Sequence, residues 1–211
     1  RARTGGRLRF FISGGAPLSR DIGEFFYGLG LLVLEGYGLS ETSPVISVNT
    51  PSHFRMGTVG RPIDGVEVQI ASDGEIKSRG PNTMLGYFKK PEATAEVMDG
   101  AWFLTGDIGH LDPDGFLVIT DRKKDLFKTS GGKYIAPQPI ENRLKADEIV
   151  AQAVLIGNSK KFVAALLVPN IDAVRRRLPD TVLPQSPDDL IGHPKVRELF
   201  DKLVTKANEG L

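Results

Sequence analysis

Apolar and polar positions along the chain change period several times, and each change marks a change of element. Leu8-Arg9-Phe10-Phe11-Ile12 is a short apolar run that reads as a strand, followed by the loop Ser13-Gly14-Gly15-Ala16-Pro17. Ile22, Phe25, Phe26 and Leu29 then recur at helical spacing, with Ser19 placed to cap the helix and Gly28 and Gly30 to end it. Leu31 to Leu34 is a second buried strand, running into the glycine loop that spans Glu35 to Thr42. A right-handed crossover makes two such strands parallel, so their C-terminal ends share one sheet edge. Ligands of open α/β sheets bind beyond that edge, so both glycine loops are expected to face one site.

The pattern switches to alternation over residues 57–120. Val66, Val68 and Ile70 alternate with polar residues, and Ser72-Asp73-Gly74 turns the chain into Glu75-Ile76-Lys77. Pro91 to Met98 reads as a short helix with proline near its start. Trp102 to Leu111 and Phe116 to Thr120 form a hairpin around Asp112-Pro113-Asp114-Gly115. The region is expected to be a small, distorted antiparallel β-barrel.

A third pattern follows. A strand and glycine loop over Lys128 to Lys133 lead to a helix near Ile140 to Leu144. Val150 to Ile156 and Phe162 to Val168 pair across Gly157-Asn158-Ser159-Lys160. Beyond the proline-rich stretch Leu178 to Pro187, a last helix carries Val196, Leu199, Phe200, Leu203 and Ala207 on one face. The fold class is therefore α/β plus α+β: a βαβ unit (1–50) and a β-barrel subdomain (57–120), then a small α+β domain over 125–211.

Composition narrows the function classes. The chain has 211 residues, 40% of them apolar and 25% charged, as in soluble globular proteins. A formal net charge of +1 gives no electrostatic case for nucleic acid, although Arg175, Arg176 and Arg177 make a local basic cluster. There is no cysteine, which removes disulfides, thiol catalysis and zinc–thiolate sites and suits a reducing, cytoplasmic compartment. The apolar run around Leu29 to Leu34 falls far short of the roughly 20 residues a membrane helix needs. Arg1 in place of methionine, and a helical pattern running to the last residues without a tail, suggest a piece of a longer chain.

Four segments could carry chemistry. Small residues at 13–17 let backbone approach a ligand, and they equally make a tight β–α turn. In Tyr37-Gly38-Leu39-Ser40-Glu41 the tyrosine can stack on a base, the hydroxyl can bond a phosphate and the carboxylate can hold Mg2+; a polar loop with a packed tyrosine is the plainer alternative. Asp107, between Gly106 and Gly109, can accept two hydrogen bonds from the vicinal hydroxyls of a ribose, or is a surface turn residue. Arg122, at the end of the return strand, can donate to sugar or phosphate oxygens, or pairs with Asp121 or Asp125. Thr129-Ser130-Gly131-Gly132-Lys133 is not a phosphate-binding P-loop, because Phe127 and Tyr134 stand where that pattern needs glycine and Ser or Thr. His53, His110 and His193 show no metal-ligand spacing.

Taken in order, the segments resemble the adenylate-forming enzymes, the superfamily of acyl-CoA synthetases, luciferases and adenylation domains. The match runs through Ser13-Gly14-Gly15-Ala16-Pro17-Leu18, Tyr37-Gly38-Leu39-Ser40-Glu41-Thr42, Gly60-Arg61-Pro62 and Gly86-Tyr87-Phe88. It continues through Trp102-Phe103-Leu104-Thr105-Gly106-Asp107, the cluster Asp121-Arg122-Lys123-Lys124-Asp125, and Gly131-Gly132-Lys133-Tyr134-Ile135-Ala136-Pro137. Within the superfamily the chain looks most like long-chain fatty acid–CoA ligases, on Asp121 to Lys128, Ala136 to Glu141 and Ala164 to Asn170.

The resemblance implies a two-step reaction with ATP, Mg2+ and CoA: a fatty acid attacks the α-phosphate, giving acyl-adenylate and pyrophosphate, and the CoA thiol then displaces AMP. It implies that Gly14, Gly15 and Ala16 line the adenine and acyl pocket. Gly36, Tyr37 and Gly38 would flank the adenine, with Tyr37 against the ring. Ser40 or Thr42 would reach the α-phosphate, Glu41 would hold Mg2+, Asp107 would bind the ribose hydroxyls and Arg122 would support them. Lys124 matches the hinge position of the family, between a large AMP-binding domain (1–121, then hinge residues 122–124) and an incomplete C-terminal domain (125–211). Gly131 and Gly132 would let that domain approach the pantetheine of CoA. The family's phosphate loop would lie upstream of residue 1, and its catalytic lysine finds no match after Val168. These 211 residues alone are therefore expected not to adenylate a fatty acid, which a pyrophosphate-exchange assay would test. The alternatives are an adenylation domain that loads a carrier protein and a non-catalytic nucleotide-binding module. Peripheral association with a membrane is compatible with a substrate that partitions into bilayers.

Overall fold

A computed structural model describes residues 4–179 and 181–209. The chain divides into two compact units, the first ending at Lys124 and the second starting at Asp125.

The first unit opens with the expected β–α–β segment. Strand β1 (Phe11–Ser13), helix α1 (Arg20–Gly28) and strand β2 (Val33–Tyr37) alternate, and β1 and β2 are parallel, with Ser13 beside Glu35. Strand β2 continues to Tyr37, beyond the end expected at Leu34, and carries the tyrosine to the sheet's edge. Strands β3 (Ser47–Val48) and β4 (Arg61–Pro62) extend the sheet antiparallel in the order β1-β2-β3-β4. Ser19 stands at the N-cap of α1 but its hydroxyl makes no capping bond; Asp21 supplies negative charge to the first turn instead. The apolar stripe of α1 is also less buried than its periodicity suggests. Ile22, Phe25 and Leu29 are exposed among the described residues, and Gly23 is the buried position of the helix.

The alternating region is a five-stranded antiparallel sheet. Strands β5 (Glu67–Ile70) and β6 (Glu75–Arg79) form a hairpin, followed by α2 (Pro91–Glu96), β7 (Met98–Asp99), β8 (Trp102–Leu111) and β9 (Leu117–Arg122). The order is β5-β6-β8-β7, with β9 also paired to β8. Strand β8 alternates buried and half-buried residues from Trp102 to Gly109, so one face is covered; Ile76, Phe103, Phe116 and Leu117 are buried in this unit. The β8–β9 ladder carries a bulge: Gly109 faces Ile119, but Ile108 faces Asp121 and Asp107 faces Arg122, leaving Thr120 as the extra residue. The Thr120 hydroxyl donates to the Ile108 carbonyl at 3.2 Å. A side chain at Gly109 would place its first carbon 2.2 Å from the Val118 carbonyl oxygen, so the close approach requires glycine there.

The second unit matches the α+β expectation. A short hairpin, β10 (Phe127–Lys128) with β11 (Tyr134–Ile135), precedes α3 (Pro137–Lys145) and the antiparallel pair β12 (Val150–Ile156) and β13 (Ala164–Pro169). Three helices close the unit: α4 (Ile171–Arg177), α5 (Pro187–Gly192) and α6 (Pro194–Asn208). Leu144, Ile149, Ala153, Leu155, Val174, Leu190 and Val196 form the core, with Leu199, Phe200 and Leu203 packed against it. Helix α4 is not apparent in the sequence; it is capped by Asn170, whose Oδ1 accepts from the Ala173 amide at 3.3 Å. The three arginines at its end are ties within the unit. Arg175 donates to the Pro184 carbonyl, Arg176 pairs with Glu148, and Arg177 pairs with Asp147 and Glu148.

Candidate nucleotide site

The first unit gathers three sequence candidates at one place. Tyr37, at the end of β2, donates its hydroxyl to Asp107 Oδ2 at 2.6 Å. Arg122, opposite Asp107 in the β8–β9 ladder, donates through Nε to Asp107 Oδ1 at 3.2 Å. The Arg122 side chain therefore pairs with Asp107, while its backbone amide donates to Asp121 Oδ1 at 2.6 Å. Asp107 is only 4% exposed, and its own amide donates to Thr105 Oγ1, which in turn donates to the Ile76 carbonyl. The Arg122 side chain is 61% exposed. The result is a buried carboxylate with a half-buried phenol on one side and a solvent-facing guanidinium on the other. Burial, and then the charge of Asp107, push the Tyr37 phenol well above its ordinary range, so it stays a donor.

The loop after Tyr37 folds back tightly. A first side-chain carbon at Gly38 would sit 1.6 Å from the Pro44 carbonyl oxygen, so only glycine fits. Ser40–Thr42 makes one turn of 3-10 helix, ended by Ser43 at φ 51°. The two candidate hydroxyls differ. Thr42 is fully buried: its Oγ1 accepts from the Leu39 amide and lies within donating distance of the Leu39 and Pro44 carbonyls. Ser40 is exposed. Of the two hydroxyls expected to reach a phosphate, that of Thr42 holds the turn and that of Ser40 faces solvent. Glu41 is half-buried, and its Oε1 accepts from the Tyr87 hydroxyl at 2.8 Å. The Glu41 carbonyl accepts from the Met84 amide at 2.7 Å. Tyr87 is a residue that sequence reasoning leaves without a role, although Gly86-Tyr87-Phe88 is one of the motifs.

The loop after β1 joins the same edge. A side chain at Gly14 would meet the Gly36 carbonyl oxygen at 3.3 Å, and Gly15 has φ +79°. The Leu18 amide donates to Glu35 Oε1 at 3.2 Å, tying the end of the loop to β2; Ala16 is exposed. Burial raises the Glu35 carboxyl above its ordinary range, opposed by that amide.

The unit's last residues are pinned by a carboxylate that no sequence motif marks. Glu75, 5% exposed, accepts the Gly106 amide on Oε1 at 2.9 Å and the Lys123 ammonium on Oε2 at 2.6 Å. Lys123 also pairs with Asp73 at 2.7 Å, and its amide donates to the Gly106 carbonyl. Lys124, exposed, follows directly and is the last residue of the unit. In the second unit, Gly131 and Gly132 lie in the β10–β11 turn, where Gly132 has φ +84° and its amide donates to the Thr129 carbonyl. Among the described residues no group of three or more His, Cys, Asp or Glu is placed to hold a metal. No described helix is long and apolar enough to cross a membrane.

Residues 1–88 match the family described as AMP-binding enzyme, and residues 124–208 match the AMP-binding enzyme C-terminal domain. The chain belongs to the AMP-binding, adenylate-forming enzymes. Its relatives include the long-chain-fatty-acid–CoA ligase FadD15 of Mycobacterium bovis, 40% identical over 99% of this chain and 35% of that protein. Long chain acyl-CoA synthetase 1 of Arabidopsis thaliana is 38% identical over 94% of the chain and 32% of that protein. The chain thus spans about a third of the length of these curated relatives. Among solved structures, the O-succinylbenzoate coenzyme A synthetase of Bacillus subtilis in complex with ATP and magnesium ion matches with a TM-score of 0.69. It is 31% identical, over 81% of this chain and 40% of that one.

Proposed function

We propose that the chain is part of an enzyme that activates a long-chain fatty acid with ATP and transfers the acyl group to CoA. In the first step the fatty acid carboxylate attacks the α-phosphate and pyrophosphate leaves; in the second the CoA thiol attacks the acyl carbon and AMP leaves. The observation that carries the reading is the Asp107 carboxylate, held by Tyr37 on one oxygen and Arg122 on the other. Each carboxylate oxygen has a second lone pair, and vicinal ribose hydroxyls can donate to both. Tyr37 supplies a flat apolar face beside that carboxylate for a base.

Glu41 suits Mg2+ in a particular way. Mg2+ keeps several waters and is usually held by one or two carboxylates together with substrate phosphates, and a single half-buried carboxylate fits that habit. When bound, the ion would neutralise phosphate charge as pyrophosphate leaves. Ser40, exposed one residue earlier, is the hydroxyl free to donate to an α-phosphate oxygen. Lys124 is the pivot in this reading: it follows the residues that Glu75 pins and precedes the second unit. Gly131 and Gly132, lacking side chains, would admit the narrow pantetheine arm of CoA.

The test is calorimetric titration of ATP and AMP into the enzyme that carries this chain, wild type against Asp107→Ala. A loss of affinity for both nucleotides is expected. Unchanged affinity would sink the ribose assignment.

A further inference from the structure

We propose that Tyr87 is a positioning residue for the cation site: its hydroxyl fixes the Glu41 carboxylate by one oxygen and so reserves the other, Oε2, for Mg2+. The proposal rests on the reading of Glu41 as the cation-holding group.

The need for such a residue follows from the loop. Glu41 sits in a single 3-10 turn of three residues, between extended Leu39 and left-handed Ser43, outside any longer helix or strand. A glutamate there has free side-chain torsions, and a carboxylate that must wait for a cation loses affinity to that freedom. Two contacts remove it. The Met84 amide holds the Glu41 backbone carbonyl at 2.7 Å, and the Tyr87 hydroxyl holds Oε1 at 2.8 Å. Both come from one short segment, so backbone and side chain of Glu41 are fixed from a common support.

That support is itself anchored. The Tyr87 amide donates to Thr94 Oγ1 at 2.9 Å, and Thr94 Oγ1 donates to the Lys90 carbonyl at 2.9 Å. Thr94 lies in α2, so the linkage runs from a helix through Tyr87 to the carboxylate. Gly86 has φ +148°, and a first side-chain carbon there would meet Thr94 Cγ2 at 2.9 Å, which shows how closely the segment lies on the helix. Nothing in this chain of contacts uses Oε2. A neutral phenol is well matched to this role, because it donates one hydrogen bond without adding the positive charge that would repel a cation.

The experiment uses the enzyme that carries this chain, with Tyr87→Phe, which removes the hydroxyl and keeps the ring. Two readouts are taken as free metal is varied: pyrophosphate exchange against Mg2+, and Mn2+ binding to the enzyme–ATP complex by electron paramagnetic resonance. The metal concentration for half-maximal effect should rise roughly tenfold in both, the scale found when a residue that orients a metal ligand is lost. The KM for the fatty acid should stay put. Thr94→Val, which loosens the Tyr87 backbone, should shift metal binding in the same direction. A Tyr87→Phe enzyme that melts at a lower temperature but keeps the wild-type metal requirement overturns the proposal, because that is the signature of a packing role alone. A lowered requirement also overturns it, since it would mean that the hydroxyl competes with the cation. Glu41→Gln separates the two levels. If it leaves Mn2+ binding unchanged, the cation reading of Glu41 fails; if it weakens binding while Tyr87→Phe does not, only the role of Tyr87 fails.

Discussion

Tyr37 and Asp107, 70 positions apart in sequence, are joined by a 2.6 Å hydrogen bond in which the phenol donates and the buried carboxylate accepts. The bond ties the end of β2 to the middle of β8, so the two sheets of the first unit share this contact at the candidate site. Tyr37→Phe would leave one oxygen of a buried carboxylate without its donor. Hydrogen bonds to charged groups contribute about 1.5–3 kcal/mol, and a loss of that order is expected in urea unfolding. A stability within a few tenths of wild type would mean that water replaces the phenol.

Arg122 should behave differently. Its side chain is mostly exposed, and exposed ion pairs contribute about 0–1 kcal/mol. Arg122→Ala is expected to leave the melting temperature nearly unchanged and to weaken AMP binding in titration calorimetry. If stability falls more than nucleotide affinity, the guanidinium serves the fold.

Ser40 and Thr42 make a contrasting pair. Thr42→Val removes the bonds that close the 3-10 turn and should cost about 0.5–2 kcal/mol, as for loss of a helix cap. Ser40→Ala should cost almost no stability and should slow pyrophosphate exchange. The reverse ranking in paired melts and exchange assays would reassign the phosphate-facing hydroxyl.

Glu35 gives a pH dependence. Its folded pKa is raised above the ordinary 4.5 by burial, so its contribution to stability is full below that value and is lost as pH rises through the raised one. Glu35→Gln keeps an acceptor for the Leu18 amide and cannot ionise. Relative to wild type, the variant should therefore gain stability in urea melts as pH rises above the ordinary 4.5. A difference that does not change with pH would show that the carboxyl keeps its ordinary pKa.

Gly38→Ala and Gly106→Ala should differ in severity. Gly106 has φ +73° and open space where a side chain would go, so alanine meets only the left-handed backbone penalty of about 1–2 kcal/mol. Gly38→Ala would drive a carbon into the Pro44 carbonyl, and the whole loop must move. Its unfolding midpoint should fall further, and nucleotide binding should fall with it. Equal midpoints would show that the loop yields easily.

What the sequence made legible was local. The parallel β–α–β segment, the hairpin around Asp112 to Gly115 and the face of α6 were all readable because the signals sit within a few residues of each other. The fit of Asp107 with Arg122 was readable too, because a hairpin brings its own ends together. Glu75 and Tyr87 were not. Glu75 acts on residues 31 and 48 positions away, and Tyr87 on one 46 positions away, so no local pattern announces them. Helices α4 and α5 hid because they are short and flank a proline-rich stretch, where composition argues for loop. The exposure of Ile22, Phe25 and Leu29 was hidden for another reason: periodicity marks an apolar face without saying what lies against it.

The extra residue at Thr120 decides which charge meets Asp107. Counting inward from the turn, the ladder sets Leu111 against Leu117, His110 against Val118 and Gly109 against Ile119. Continued without interruption, that register would set Asp107 against Asp121, two carboxylates directly across from each other, which is repulsive. One inserted residue advances the count, and Asp107 meets Arg122 instead. Deleting Thr120 would thus straighten the strand and still leave Arg122 opposite Asp107, whereas drawing Thr120 into the regular ladder would invert the electrostatic sign of the partner without altering any side chain at the site.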